Sequence, residues 1–320
     1  MSHIKAVYRI AFIIAFLVLP IDGLLHAETF IRPPDDVDVI GQLGFVEARR
    51  DETLLDIART HDLGQNEILL ANPSVDRWLP EDGAMVTLPN RYILPNAKRS
   101  GLVLNLPEMR LYYFPEPKAG EVPIVITHPI SVGRMDWETP LGMTKIVSKK
   151  VDPTWTPPQS LKEEALADGN VLPDVVPAGP DNPLGRYAMR LGIPGYLIHS
   201  TNKPYGVGMR VTHGCVRMYP EDIATLFDEI PTGTPVQIVN QPIKLGWLAG
   251  SLFMELHPPL DEDLEKYANY MQSVLDAISD FISVDTNTVG AYTRTALALS
   301  GRALRQAVEE KNGIPVVISK

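Results

Sequence analysis

Hydrophobic positions change their spacing along this chain, and each change predicts a different kind of structure. Residues 45–90 place apolar side chains first at strand spacing and then at helical spacing, which predicts a small strand–helix–helix–strand unit. Residues 98–240 carry short β-rich runs, such as 102–106 and 110–114, which predict a mostly β domain of sandwich or barrel-like form with short helices. The whole pattern predicts an α+β fold, with a mainly helical C-terminal region over 241–320.

The amino terminus has a basic start followed by an unbroken apolar run. Lys5 and Arg9 precede the run over 10–19, which is shorter than a bilayer-spanning helix requires. This arrangement predicts a signal peptide over 1–27, cleaved after Ala27, and a mature chain that is exported and has no transmembrane domain. The alternative is an uncleaved amino-terminal anchor, which also leaves the body of the chain exported.

The unit over 45–90 resembles a LysM glycan-binding module. Three dipeptides match the usual LysM pattern, namely Thr53-Leu54, Asn72-Pro73 and Leu88-Pro89. Asp51-Glu52 departs from the pattern, because Gly-Asp is expected there. The resemblance implies a βααβ fold that binds the glycan of peptidoglycan, and the alternative is a small helical spacer with no ligand.

Composition narrows the class of partner. The formal net charge is −10, which argues against nucleic acid as a ligand. The prolines concentrate in loops, and residues 152–186 form a proline-rich segment that is too long for an ordinary connection. Long ordered segments of this kind often cover a binding site, so we expect this one to act as a lid.

Cys215 stands out because it is the only cysteine in the chain. One cysteine cannot form an internal disulfide, so in an exported protein the thiol is either a buried core residue or reserved for chemistry. A nucleophilic thiol needs a base, and His199 and His213 are the nearby candidates. His213 is two residues away and such neighbours rarely face each other, so His199, on an adjacent strand, is the predicted base.

Other parts of a thiol site surround these residues. Ser200 is placed to orient His199, as a third group usually does for a catalytic base. The backbone amides around His213, Gly214 and Cys215 are candidates for an oxyanion hole, because glycine permits the tight backbone that converging amides require.

Arg217 offers a cation that suits an anionic substrate group. A zinc site formed by His199, His213 and Cys215 is an alternative use of the same side chains, although neither a fourth ligand nor the usual ligand spacing is evident.

Two stretches closely resemble the signature of the L,D-transpeptidases of the YkuD type. They are Ile198-His199-Ser200 and Thr212-His213-Gly214-Cys215-Val216-Arg217-Met218. The flanking residues 182–185, the proline-rich loop at 154–157 and the LysM-like unit extend the resemblance to the periplasmic ErfK/YbiS/YcfS branch of the family. Thr212 and Ser200 depart mildly from the family pattern, in which serine and glycine are commoner.

The resemblance implies a periplasmic enzyme that exchanges one amide for another and needs no cofactor and no metal. Cys215 would attack a tetrapeptide stem of peptidoglycan, His199 would donate and accept the proton, and Arg217 and Thr212 would bind substrate. The acceptor would be a lysine of the major outer-membrane lipoprotein, or the diamino-acid side chain of another stem, which gives 3→3 cross-links. The alternatives are hydrolysis, as in a carboxypeptidase or amidase, and a wall-binding protein without activity.

Overall fold

The structure is a computed structural model that describes residues 28–134, 138–288 and 298–320, without the side chains of 284–288. The predicted signal peptide over 1–27 lies outside the described residues. Within the described ranges, no helix is both long enough and apolar enough to cross a membrane.

Strands and helices are mixed along the described chain, in keeping with an α+β fold. The strands are β1 (Glu28–Ile31), β2 (Val39–Gly41), β3 (Gly44–Glu47), β4 (Met85–Leu88), β5 (Arg91–Ile93), β6 (Gly101–Asn105), β7 (Arg110–Phe114), β8 (Ile124–Pro129), β9 (Val132–Gly133), β10 (Gly142–Val151), β11 (Tyr187–Leu191), β12 (Leu197–His199), β13 (Arg210–Thr212), β14 (Val216–Arg217), β15 (Pro235–Val239), β16 (Ile243–Leu248), β17 (Ser251–Leu256) and β18 (Val316–Val317). The helices are α1 (Leu54–Thr60), α2 (Gln65–Ala71), α3 (Gln159–Ala167), α4 (Pro220–Glu229), α5 (Tyr270–Thr288) and α6 (Gly301–Glu310), with 3-10 turns at Pro204–Gly206 and Asp261–Asp263.

The largest sheet has nine strands, in the order β1-β8-β7-β6-β15-β10-β11-β12-β14. Strand β10 has two partners, because residues 142–145 pair with β15 and residues 146–151 pair with β11. The register shifts between Ile146 and Ser148, and an irregularity of this kind bends a strand. The predicted β domain is therefore built around one nine-stranded sheet that curls over at β10.

The main core lies between the curled sheet and helix α4. Pro220 stands at the first helical position, with Glu221 and Asp222 in the first turn, and all three are typical of a helix start. Ile223 and Leu226 follow at helical spacing and are buried. Each contributes roughly 1.5–3 kcal/mol by its burial. Helix α4 thus anchors the end of the segment that contains the predicted catalytic residues.

The unit over 45–90 has the predicted order of strand, helix, helix and strand, and β3 pairs with β4 in the antiparallel sense. Thr53 begins α1 with a capping box, in which its side chain and that of Asp56 bond each other's backbone amides. The buried Asn72 side chain bonds the backbone of Thr87 in both directions, at 2.7 and 2.8 Å. This ties the end of α2 to β4. The βααβ arrangement is as the sequence predicts, and its identity as a LysM module remains a prediction.

The same unit packs directly on the loop between β12 and β13. The amides of Gln65 and Asn66, at the start of α2, donate to the carbonyl oxygens of Val207 and Gly208 at 2.9 and 3.2 Å. Gly208 has a φ of +85°, and a Cβ there would lie 2.3 Å from the Gln65 nitrogen. Only glycine permits so close an approach of two backbones. The LysM-like unit therefore supports a loop that leads into the predicted catalytic segment.

The C-terminal region contains helices, as predicted, and also a small sheet that the prediction lacked. Helices α5 and α6 are present, but β16, β17 and β18 form a three-stranded sheet against which they pack. Ala249 and Gly250 both have positive φ, as a two-residue hairpin turn between β16 and β17 requires. A hairpin signal was present in the sequence, because the alternating residues 243–248 are followed by Ala-Gly. The prediction for this region instead followed the helical periodicity farther along the chain.

Candidate active site

The sheet brings His199 and Cys215 onto neighbouring strands. Strand β12 pairs with β14 in parallel, so that His199 lies opposite Arg217. Cys215 immediately precedes β14, and alternation along a strand puts it on the same face as Arg217. Parallel neighbours need a long crossover, which residues 200–215 provide, with β13 inside this connection. The predicted nucleophile, base and cation thus converge through strand pairing alone.

Cys215 is half-buried, and its thiol donates to the backbone carbonyl of Gly195 at 3.6 Å. Burial raises the pKa of this thiol, while a hydrogen bond from the backbone at Leu197 and the charge of Arg217 act in the opposite direction. The resting group is therefore the neutral thiol at neutral pH. Nucleophilic attack by this thiol requires a base that takes its proton as the reaction proceeds.

His199 is suited to that task. Its Nδ1 lies 2.6 Å from the carbonyl oxygen of Ser200, and a carbonyl only accepts, so Nδ1 carries the proton and Nε2 is free of one. Burial, and then the positive charge of Arg217, lower the pKa of His199 to about 4, against the opposing effect of the Ser200 and Leu184 carbonyls. The imidazole is consequently neutral at physiological pH and ready to accept a proton.

Ser200 contacts His199 as predicted, but through its main chain. The expected orienting group was the side-chain hydroxyl, whereas the structure uses the backbone carbonyl for that hydrogen bond. The hydrogen bond fixes the tautomer of the ring equally well, because any carbonyl at this position can accept it.

The turn at 212–215 has the form of an oxyanion hole. Gly214 has a φ of +90°, which favours glycine. Its carbonyl accepts a hydrogen bond from the Thr139 hydroxyl at 2.9 Å, and the Cys215 carbonyl accepts one from Thr212 at 2.5 Å. With both carbonyls held, the amides of Gly214 and Cys215 donate to no acceptor in the part of the chain that the structure describes. Preorganised free amides of this kind stabilise a developing oxyanion.

Two threonines shape this turn, and sequence analysis placed only one of them near the site. Thr212 was expected to bind substrate, but it is buried and its hydroxyl is used by the Cys215 carbonyl, so it supports the loop instead. Thr139 lies outside both signature stretches. Its buried hydroxyl accepts from the Gly133 amide and donates to Gly214, which joins two distant loops. No local pattern in the sequence points to this contact.

His213 faces away from the thiol chemistry. Its Nε2 lies 2.9 Å from Oε2 of Glu164, whose other carboxylate oxygen pairs with Arg134. Glu164 lies on α3, within the proline-rich segment of residues 152–186. Hydrogen bonds to Arg134 and then to His213 lower the pKa of the Glu164 carboxyl. The predicted lid is therefore fastened to the turn that contains the cysteine.

A second fastening holds the base of the lid. The fully buried Asn182 donates from Nδ2 to the carbonyls of Pro153 and Pro177 at 2.8 and 3.0 Å. Its Oδ1 accepts from the Leu184 amide at 2.9 Å. These bonds close the two ends of the segment on each other, so the lid is an ordered loop with a fixed base.

Arg217 is half-buried beside Cys215 and His199. Burial lowers the pKa of its guanidinium. Its Nε atom is buried without a hydrogen-bond partner, and no carboxylate pairs with the side chain among the described residues. An unpaired, partly desolvated guanidinium next to a nucleophile is suited to an anionic part of a substrate.

The alternative of a zinc site at the cysteine does not fit this geometry. His199 bonds the Ser200 carbonyl, His213 pairs with Glu164 and the Cys215 thiol faces Gly195, so the three potential ligands point to separate partners. The described chain contains two groups of residues with converging metal-ligand atoms, and neither includes Cys215.

Comparison with known proteins identifies the family of this chain. A family model described as the L,D-transpeptidase catalytic domain matches residues 99–238. Three Escherichia coli K12 proteins are similar over most of their length. The chain is 35% identical to Probable L,D-transpeptidase YcfS over 92% of this chain and 89% of that protein. It is 41% identical to YbiS over 78% and 81%, and 36% identical to ErfK/SrfK over 97% of each, and both carry the same description.

Solved structures give a more distant likeness. The catalytic domain of the Enterococcus faecium L,D-transpeptidase is 22% identical, with a TM-score of 0.33, over 45% of this chain and 99% of that one. An L,D-transpeptidase of Mycobacterium smegmatis is 19% identical, with a TM-score of 0.34, over 51% and 71%. The matches to full-length relatives confirm the family that the sequence motif indicated.

Proposed function

Because the chain belongs to the L,D-transpeptidase family and is an L,D-transpeptidase, we propose that it acts on peptidoglycan tetrapeptide stems through a thioester on Cys215. We further propose that it works in the periplasm and joins the stem to a lysine of an outer-membrane lipoprotein. The observation that supports the thioester is the neutral His199, whose proton-free Nε2 shares a sheet face with the thiol.

In the first step of the proposed mechanism, Nε2 of His199 takes the proton of Cys215 while the sulfur attacks the carbonyl carbon of the third stem residue. The negative charge moves to the carbonyl oxygen, which the amides of Gly214 and Cys215 stabilise. The C–N bond to the terminal D-alanine then breaks, and the imidazolium returns its proton to the leaving amine. A thioester and a free D-alanine result.

In the second step, the acceptor amine attacks the thioester carbonyl and gives one proton to His199. The C–S bond breaks and the proton returns to sulfur. One amide has been exchanged for another, so no external energy source is required. The lid, which is held at Glu164 and Asn182, favours transfer to the amine over hydrolysis, because it limits the access of water to the thioester.

Arg217 is the proposed contact for the donor stem. A tetrapeptide has a free carboxylate on the residue directly after the attacked carbonyl, close to the sulfur during attack. The unpaired guanidinium beside Cys215 would bind that carboxylate. A pentapeptide stem lacks a charge at that residue, so this contact favours tetrapeptide donors.

The choice of acceptor rests on the resemblance of the sequence to the ErfK/YbiS/YcfS branch, and matches to these three proteins cover 78% to 97% of this chain, including regions outside the catalytic domain. Two other acceptors define the alternatives. The diamino-acid amine of another stem gives 3→3 cross-links, and water gives an L,D-carboxypeptidase.

Walls from a deletion strain, complemented with the wild type or with Cys215→Ala, distinguish these outcomes. We expect the lipoprotein-linked muropeptide to be absent in the deletion, restored by the wild type and not by the variant. If 3→3 dimers were lost instead, the acceptor would be the diamino-acid amine of another stem and not the lipoprotein lysine. Full complementation by Cys215→Ala would favour a wall-binding protein and refute the thioester mechanism. Mass spectrometry of purified protein with tetrapeptide should show an adduct on the wild type only.

A further inference from the structure

A second group of reactive side chains is buried where the LysM-like unit meets the catalytic domain. Asp62 follows α1, His128 lies on β8 and Asp222 lies in the first turn of α4. All three are buried, and each offers a potential metal-ligand atom within 4.8 Å of the others. None of them takes part in the reaction proposed for Cys215. Buried charges are costly unless they are paired or bind a metal, so this cluster needs a physical explanation.

The three residues leave polar atoms without partners. Asp62 Oδ1, His128 Nδ1 and Asp222 Oδ2 are buried and make no hydrogen bond. Nδ1 of His128 lies 3.3 Å from Asp62 Oδ2 and 3.6 Å from Asp222 Oδ2. A charge-assisted N–H···O bond is about 2.7–2.9 Å long, so both separations are too long for a good one. Ligand atoms around a tetrahedral ion with bonds of about 2.1 Å lie roughly 3.4 Å apart, which is close to both distances.

A second buried acidic cluster in the same molecule contains its own cation. Glu108 and Glu255 form a similar buried acidic pair, beside His257. There, the Lys244 ammonium lies between the two carboxylates, at 2.8 and 2.7 Å. The protein itself supplies the cation that this second cluster needs.

The first cluster has no such side chain. Arg110 is the nearest buried cation, but its guanidinium is engaged by the Glu67 carboxylate at 2.7 and 2.9 Å and by the Asp62 backbone carbonyl at 3.0 Å. No lysine or arginine reaches the carboxylates of Asp62 and Asp222 within the described ranges. Only the His128 imidazole lies between two buried acids, and it can carry a single charge.

We propose that Asp62, His128 and Asp222 bind one divalent transition-metal ion, of which zinc is the best match to a set of one imidazole and two carboxylates. With a neutral imidazole and two carboxylates, a doubly charged ion makes the cluster neutral overall. A water molecule or a second carboxylate oxygen would complete four-fold coordination. The site is structural, because all three side chains are buried and none has a part in the thiol chemistry.

Such an ion would clamp three elements together. Asp62 belongs to the LysM-like unit, His128 to the large sheet, and Asp222 to the helix that directly follows the catalytic turn. Metal binding would therefore hold the LysM-like unit in a fixed place relative to Cys215. A glycan strand bound there would be held at a constant position from the thiol.

The test uses the full mature chain, stripped with chelator, incubated with excess zinc chloride and freed of unbound metal by gel filtration. We expect about one zinc per chain by elemental analysis, and a rise in melting temperature on adding zinc to the stripped protein. Cobalt in place of zinc should give the intense visible absorption of a tetrahedral site. Cys215→Ala should retain the metal, and its loss in that variant would assign the ion to the thiol and overturn the proposal.

His128→Gln should lower zinc affinity by about tenfold or more, since even supporting groups around a metal contribute that much. His257→Gln in the second cluster is the matched control and should bind zinc like the wild type. Equal binding by all variants, or no stoichiometric zinc in the stripped and reloaded wild type, would refute the site. A proton on His128 would then be the only cation between the acids. The wild-type measurement decides the matter even if His128→Gln does not fold.

Discussion

The neutral state of His199 has a measurable effect on stability. In the folded chain its pKa is about 4, because burial and Arg217 disfavour the charged ring, whereas the unfolded residue titrates near its usual value of about 6.5. Between these two values the unfolded chain binds a proton that the folded chain does not. Stability is therefore lost as the pH falls through this window, and it is unaffected by this group above about pH 7.

The size of the effect follows from the shift. One pKa unit corresponds to about 1.4 kcal/mol, so a shift from about 6.5 to about 4 amounts to roughly 3 kcal/mol in full. Between about pH 7.5 and about pH 4.5 most of it, about 2–3 kcal/mol, should be lost. His199→Asn removes the titration and keeps a side-chain donor for the Ser200 carbonyl. The variant should thus become more stable relative to the wild type as the pH falls.

Urea denaturation of both proteins at these two pH values measures the effect. The difference in free energy of unfolding between variant and wild type is compared across pH, so that other titrating groups cancel. We expect this difference to change by about 2–3 kcal/mol in favour of the variant. An unchanged difference would mean that His199 titrates near its usual value in the folded chain. The proposal that burial keeps this imidazole neutral would then be refuted. The acid limb of wild-type acylation should also lie near pH 4.

Three other changes test the contacts around the site. Gly208→Ala should lower the free energy of unfolding by about 1–3 kcal/mol and slow acylation. The backbone at this position is left-handed and the new Cβ would lie 2.3 Å from the Gln65 nitrogen, so the loop has to move. Denaturation measures the first effect and single-turnover kinetics the second. Glu164→Gln should raise the ratio of hydrolysis to transfer in a two-product assay, because the lid loses its ion pair with Arg134 and the carboxylate that contacts His213. Glu67→Gln should cost about 3–5 kcal/mol in urea, because it leaves the buried Arg110 guanidinium without its counter-charge.

Each change has a matched control in the chain. Gly120→Ala has a similar φ of +86° with open space around it, so it should leave acylation unchanged; equal slowing would point to a general effect of alanine. Glu163→Gln, next to Glu164 on α3, should keep the wild-type product ratio. An equal rise in the ratio of hydrolysis to transfer in this variant would show that the contacts of Glu164 are not what limits hydrolysis. Glu121→Gln breaks an exposed pair and should cost less than about 1 kcal/mol. A similar small cost at Glu67 would contradict the buried-pair argument.

The sequence alone was enough to predict the nucleophile, the base and the turn proposed to hold the oxyanion. Cys215, His199 and Gly214 lie in one short segment, and pairing of β12 with β14 brings them together. The lone cysteine, the glycine and the alternating strand are local features, so they can be recognised without knowledge of distant contacts. The order of elements in the LysM-like unit followed from local periodicity for the same reason.

Only the tertiary structure decided which partners those residues have. Ser200 orients the base through its backbone, Thr139 holds the turn from a distant loop, and Glu164 fastens the lid to His213. The Asp62 cluster likewise joins three elements far apart in sequence. Such contacts depend on how the sheet curls at β10 and on which polar atoms become buried. Burial is what makes an unpaired carboxylate or imidazole costly, and burial is a property of the folded chain as a whole.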